Sequence, residues 1–244
     1  MDASTTGCTM RQKLFFLITI FSFGILYIHT TIAVLFSLAF GLINQKKMIR
    51  LVALVWSKMC FWLLLKRIHI YGLANIEKDK KYILLINHSS LFDIMAVMSV
   101  LPDISWFGRE YLINIFLFGK ILRMIDYIPM KSGDFHQTKY MLNQMIEKAG
   151  NKTVAIFPEG TRTQSGQLGR LHKGFLYVQK ATNRDILPLT LSGFFRFKPK
   201  TRFSIDYQAP LLIYIHEPIK NGTLKELSDQ QILELVKSTI ESKL

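Results

Sequence analysis

Residues 14–43 are apolar almost without a break and carry no charge, with Arg11 and Lys13 ahead of them and Lys46, Lys47 and Arg50 behind. As one straight helix at 1.5 Å per residue this stretch would reach roughly 45 Å, longer than a hydrocarbon core of about 30 Å. The polar triplet His29-Thr30-Thr31 sits near its middle and both flanks are basic. Because basic flanks favour one side of a bilayer, the pattern predicts a hairpin of two helices dipping into one leaflet in preference to a single span. A cleaved signal peptide would have a shorter apolar core and a small-residue cleavage site, so the segment reads as a retained anchor. Residues 51–65 are too short to cross comfortably, contain Lys58, and carry Trp56 and Trp62. They predict an in-plane interfacial helix, with a core helix of the following domain as the alternative.

From Lys66 onward the pattern changes to short β-branched and aromatic runs alternating with longer helical stretches. Strands are predicted over 67–71, 82–86, 104–107, 127–130, 153–157, 186–191, 203–207 and 211–215, and helices over 90–100, 109–123, 134–149 and 172–181. Residues 228–243 add an amphipathic C-terminal helix: Ser228 and Gln231 form a capping-box pattern, and Ile232, Leu233, Leu235, Val236 and Ile240 supply the apolar positions. The alternation predicts an α/β domain with a partly parallel central sheet flanked by helices. Two parts follow, an anchor over 1–65 and a catalytic domain over 66–244.

The chain has 244 residues and a net charge of +14, although half of it is hydrophobic. Excess positive charge in so apolar a chain points to an anionic membrane surface before nucleic acid. No zinc-ligand spacing and no helix with interleaved Arg and aromatic residues supports a nucleic-acid partner. The two cysteines, Cys8 and Cys60, form no CxxC or metal-ligand pattern. A disulfide framework is therefore not expected, and the catalytic part should face a reducing compartment, the cytoplasm.

Two motifs carry candidate chemistry. The first is Asn87-His88-Ser89-Ser90-Leu91-Phe92-Asp93, directly after the apolar run 82–86, where a strand hands over to a helix. It places an imidazole five residues before a carboxylate. Acyl or phosphoryl transfer on an anionic substrate calls for a base to take a proton, and a neutral imidazole suits that task. A carboxylate on its other nitrogen would fix the tautomer and stabilise the imidazolium, the role expected of Asp93 for His88. The second motif, Phe157-Pro158-Glu159-Gly160-Thr161-Arg162, follows the run 153–157. Gly160 and Thr161 permit a tight turn whose N–H groups, with the planar fork of Arg162, could hold an anion. Glu159 would hold the loop or a substrate hydroxyl, and a loop salt bridge between Glu159 and Arg162 is the structural alternative.

Together, in this order and spacing, the two motifs resemble those of the glycerolipid acyltransferases, the lysophosphatidic acid acyltransferase family. The similarity runs on through Leu168, Lys173 and Gly174 and the apolar-Pro run Ile186-Leu187-Pro188-Leu189, covering roughly residues 82–191. One further block departs from the family pattern: Arg109-Glu110-Tyr111-Leu112 stands where a Lys-x-Glu-Leu-like start is usual, and Lys131 stands in for a phosphate-binding Arg. The resemblance implies a glycerolipid acyltransferase-like fold, His88 and Asp93 as catalytic residues, and a substrate site drawn from Asn87, Arg109, Lys131, Glu159, Gly160, Thr161, Arg162 and Lys173. It also implies a lysophospholipid acceptor, most commonly 1-acyl-glycerol 3-phosphate, an acyl donor on coenzyme A or acyl carrier protein, and no bound metal or redox cofactor.

The expected activity is thus membrane-bound acylation of the sn-2 hydroxyl of 1-acyl-glycerol 3-phosphate, giving phosphatidic acid. Acceptors such as glycerol 3-phosphate or a lyso-amino lipid remain open. So does a thioesterase-like hydrolase that would use the same base on water, whereas intact His88 and Asp93 speak against a non-catalytic lipid-binding protein.

Overall fold

The computed structural model describes residues 10–115, 118–124, 127–130, 143, 146–147 and 152–244. Two helices open it, α1 (Met10–Leu42) and α2 (Lys46–Leu63). They pack against each other as an antiparallel pair. The bend expected at His29-Thr30-Thr31 is not there, and α1 runs through it unbroken. These polar groups face α2 instead: the indole Nε1 of Trp56 donates to Thr30 Oγ1 (3.1 Å), and His29 Nε2 lies 3.2 Å from the Trp56 carbonyl. Thr31 Oγ1 donates to the Tyr27 carbonyl one turn back, which is compatible with continuous helix. Termination comes at Asn44, whose φ of 54° places it in the left-handed region that ends helices.

Along α1, Phe21, Tyr27 and Ile28 are 70%, 76% and 61% exposed, and residues 13–42 are long and apolar enough to cross a membrane. Such a surface is costly in water and fits a membrane region. Helix α2 is two-sided: Cys60 and Phe61 are buried in the core of the following domain, while Trp62 is 70% exposed. One face of α2 is therefore a core face of the following domain, as the alternative reading had it, and its other face is exposed.

Among the described residues seven strands form one sheet: β1 (Ile68–Tyr71), β2 (Ile83–Ile86), β3 (Ile104–Arg109), β4 (Ile128–Met130), β5 (Thr153–Ile156), β6 (Ile186–Ser192) and β7 (Leu211–Ile215). Their order is β1-β7-β6-β2-β5-β3-β4, parallel throughout except for the antiparallel pair of β6 with β7. Helices follow at α3 (Phe92–Met98), α4 (Phe118–Met124), α5 (Gly174–Thr182), α6 (Phe194–Phe197), α7 (Asn221–Glu226) and α8 (Asp229–Glu241). This is the mixed α/β architecture expected from the sequence.

The fully apolar run of β2 is what a central parallel strand needs, because both of its faces are covered. Leu84 and Ile86 turn to a core shared with α1, α2 and α3, whereas Ile83 and Leu85 turn to a second core under α5 and α8. Ser228 and Gln231 do form the capping box of α8, and Ile232, Val236 and Ile240 bury its apolar stripe.

Two other expectations fail. Residues 203–207 alternate like a strand but do not join the sheet. Their groups are taken up by α1: Phe203 packs with tilted rings against Phe16 and Phe23, the Ile205 N–H donates to Thr19 Oγ1 (3.0 Å), and Tyr207 Oη shares a hydrogen bond with Ser22 Oγ (2.6 Å). The single helix expected over 109–123 is instead the end of β3, a 3-10 turn (Glu110–Asn114) and the short α4. Gly119 makes that break possible, since a Cβ there would lie 1.9 Å from the Ile113 carbonyl oxygen. The helix expected over 134–149 falls almost entirely outside the described residues.

Candidate active site

Parallel pairing brings the two motifs together. Leu85 of β2 stands beside Ile156 of β5, so Asn87-His88 and Phe157-Pro158-Glu159 leave the same edge of the sheet side by side. The carboxyl ends of adjacent parallel strands are where open α/β sheets place their ligands. Trp106 of β3 pairs with Ala155 of β5, which delivers Arg109 to that same edge.

His88 Nδ1 lies 2.9 Å from Asp93 Oδ2. The same oxygen accepts the backbone N–H groups of Ser89 (2.6 Å) and Ser90 (2.8 Å), and Asp93 is fully buried. A carboxylate oxygen that collects three donors requires the imidazole to donate through Nδ1, which leaves Nε2 as the unprotonated edge. The ring stacks on Phe157 at a centroid separation of 3.9 Å, and Phe157 in turn stacks on Trp106 at 5.5 Å. Orientation of His88 is thus fixed both in the plane of the ring, by Asp93, and across it, by Phe157.

Glu159 is buried and acts on the backbone. Its Oε1 accepts the His88 N–H (2.7 Å) and its Oε2 the Gly169 N–H (2.8 Å). Burial pushes its carboxyl pKa up, opposed by these two hydrogen bonds. The Thr163 N–H donates to the His88 carbonyl (2.8 Å), so the second motif grips the His88 backbone at both its N–H and its carbonyl. Gly160, with φ of 68°, makes the turn that allows this. The salt bridge weighed between Glu159 and Arg162 does not form, because the carboxylate is occupied by N–H groups; among the described residues Arg162 pairs with no carboxylate.

A cavity of about 550 Å³ opens beside His88. Arg109, Gly160, Thr161 and Arg162 are among its lining residues, and its apolar lining comes from α3, from Trp106 and Phe157, and from α1 and α2 through Val34, Ala53 and Trp56. Of the residues expected at the substrate site, Asn87 is spent elsewhere: its Nδ2 donates to the Leu191 carbonyl (3.0 Å) and its Oδ1 accepts the Leu191 N–H (2.7 Å), clamping β2 to β6. Lys173 is exposed at the N-cap of α5 and does not line the cavity. Lys131 lies outside the described residues.

Sequence reading gave no role to Phe157, Trp106 or Lys200, all of which line the cavity. Phe157 was visible as a motif residue beside Pro158; Trp106 and Lys200 had no local signal. Among the described residues no group of three or more His, Cys, Asp or Glu side chains could hold a metal ion.

Comparison with known proteins decides what this arrangement belongs to. The family model described as Acyltransferase matches residues 67–192, more than half of the chain and including both motifs. The chain belongs to the acyltransferase family. This acyltransferase is 26% identical over 197 residues to a chloroplastic 1-acyl-sn-glycerol-3-phosphate acyltransferase of Arabidopsis thaliana, covering 80% of this chain and 55% of the relative. It is 25% identical over 212 residues to the 1-acyl-sn-glycerol-3-phosphate acyltransferase alpha of Mus musculus, covering 81% and 70%. Against the plant relatives it matches, the chain spans little more than half of their length. Its structure is similar to the crystal structure of the 1-acyl-sn-glycerophosphate acyltransferase PlsC from Thermotoga maritima, with a TM-score of 0.76, 25% identity and coverage of 96% and 97% of the two chains.

Proposed function

We propose that this acyltransferase transfers a fatty acyl group from a thioester to the sn-2 hydroxyl of 1-acyl-glycerol 3-phosphate, forming phosphatidic acid. The observation that carries the reading is the His88–Asp93 pair on a cavity whose lining combines the cations Arg109, Arg162 and Lys200 with apolar side chains of α1, α2 and α3. The relatives named for this activity support the choice of acceptor.

In this reaction His88 Nε2 takes the proton of the acceptor hydroxyl as its oxygen attacks the thioester carbonyl. The C–O bond forms, the C–S bond breaks, and the proton passes from His88 to the departing thiolate. Asp93 stabilises the imidazolium between these steps, which requires no enzyme nucleophile. Arg162 and Arg109 attract the acceptor phosphate, Arg162 through its planar fork. The apolar part of the cavity takes an acyl chain.

Residues 1–65 form the membrane anchor and 66–244 the catalytic domain, with the anchor also walling the cavity. We infer that the catalytic domain lies at the cytoplasmic face, where acyl-coenzyme A or acyl carrier protein supplies the donor; Lys46, Lys47 and Arg50 in the first turns of α2 support that reading. The test is an assay of the full chain in detergent with labelled acyl donor against 1-acyl-glycerol 3-phosphate, glycerol 3-phosphate and lysophospholipids with other headgroups. Labelled phosphatidic acid as the dominant product is expected. Dominant acylation of another acceptor, or release of free fatty acid alone, would overturn the reading.

A further inference from the structure

The segment after β6 carries four cations in alternate positions, Arg196, Lys198, Lys200 and Arg202. Three are committed to holding the segment's own shape. Arg196 Nε donates to Asp206 Oδ2 (2.9 Å), Lys198 Nζ to the carbonyls of Pro199 and Arg202, and the Arg202 guanidinium to the carbonyls of Arg196, Phe197 and Ser204. Among the described residues Lys200 has no hydrogen-bond or ion-pair partner, and it lines the same cavity as His88 and Arg162.

Its position is set by the backbone. Pro199 forms an antiparallel bridge with Ser90, and Ser90 Oγ donates to the Lys198 carbonyl (2.7 Å). Ser90 also donates its N–H to Asp93. Lys200 therefore lies two residues after Lys198, whose carbonyl is hydrogen-bonded to the catalytic turn, just as Arg162 precedes Thr163, whose N–H bonds the His88 carbonyl. Two separate loops, both tied to the turn that carries His88, thus each bring one cation without a partner among the described residues to the cavity that His88 lines. The ammonium of Lys198 is pushed down in pKa by burial, then by Arg162 and Arg202, so the field of Arg162 reaches this segment. Cations gathered this way repel one another until an anion lies between them.

We propose that Lys200 is a substrate-positioning cation that, with Arg162, holds the acceptor phosphate so that the neighbouring hydroxyl meets His88 Nε2. The assignment rests on the acceptor reading above. Phosphate and sn-2 hydroxyl are only a few bonds apart in 1-acyl-glycerol 3-phosphate, so cations beside His88 are within reach of that phosphate. The phosphates of a coenzyme A donor lie at the far end of a long arm from the reacting thioester. A lysine contributes a mobile point charge where Arg162 contributes a fixed fork, a pair suited to a phosphate monoester.

The test uses the full-length protein in detergent, with Lys200→Ala and Lys200→Arg, varying 1-acyl-glycerol 3-phosphate and acyl-coenzyme A separately. For Lys200→Ala the apparent KM for the acceptor should rise about tenfold while kcat changes much less and the donor KM and melting temperature stay put. Lys200→Arg should restore most of the affinity. With 1-acylglycerol, which lacks the phosphate, wild type and Lys200→Ala should be equally slow. An unchanged acceptor KM in an otherwise active Lys200→Ala, or a rise in the donor KM alone, overturns the proposal and leaves the acceptor reading intact. Failure of the wild type to acylate 1-acyl-glycerol 3-phosphate overturns both.

Discussion

Glu159→Ala separates a loop-holding role from a substrate-binding one. Glu159 accepts the N–H of His88 at 2.7 Å and that of Gly169 at 2.8 Å. Truncation leaves both donors without their acceptor in a partly buried site, at about 1–2 kcal/mol each, or about 2–4 kcal/mol together. Relief of the carboxylate's own burial, which raises its pKa, offsets part of this and favours the lower half of that range. For a chain of this size each kcal/mol moves the melting temperature by about 2–4 °C, so a drop of roughly 5–10 °C is expected by scanning fluorimetry in detergent. Because the lost bond fixes the backbone of His88, kcat should fall by about tenfold or more in the same preparation. Glu159→Gln should lie between, as its amide accepts one N–H and confronts the other with a donor. A variant that melts with wild type yet shows a raised acceptor KM would refute the reasoning, since it would put the carboxylate on the substrate.

Two further outcomes are expected. Replacing Phe21 and Ile28 on the exposed face of α1 by lysine removes about 3 kcal/mol or more of apolar transfer, so flotation with liposomes should weaken by about 100-fold or more at an unchanged melting temperature in detergent; unchanged flotation would place the membrane contact elsewhere. His216 is lowered in pKa by burial and then by Lys243, and its Nε2 meets Thr190 Oγ1 (2.8 Å), which itself donates to the Ile240 carbonyl (2.9 Å). A depressed folded pKa gives stability that is present above the ordinary imidazole value of about 6.5 and lost as pH falls through the lower folded value, so the melting temperature should decline below neutrality and His216→Gln should flatten that slope.

What the sequence made legible was local or periodic. The His88–Asp93 spacing lies within one strand-to-helix turn, and the capping box and apolar stripe of α8 span a few residues each. Contacts between distant segments were not legible in the same way. Glu159 reaches the His88 N–H across 71 residues, and nothing beside Glu159 distinguishes a backbone clamp from a substrate ligand. Asn87 was misassigned for the same reason, because its partner is the backbone of Leu191. Alternation misled at Phe203, Ile205 and Tyr207, which meet α1 rather than a strand, and polarity misled at His29 and Thr30, which meet Trp56 rather than a bend.

The central claim is that His88, oriented by Asp93, is the base for acyl transfer, and one comparison of turnover tests it most directly. With saturating 1-acyl-glycerol 3-phosphate and labelled acyl donor, folded His88→Ala should turn over at least about 100-fold more slowly than wild type, with Asp93→Asn also severely impaired. A His88→Ala protein that makes phosphatidic acid at a rate close to wild type would contradict the account.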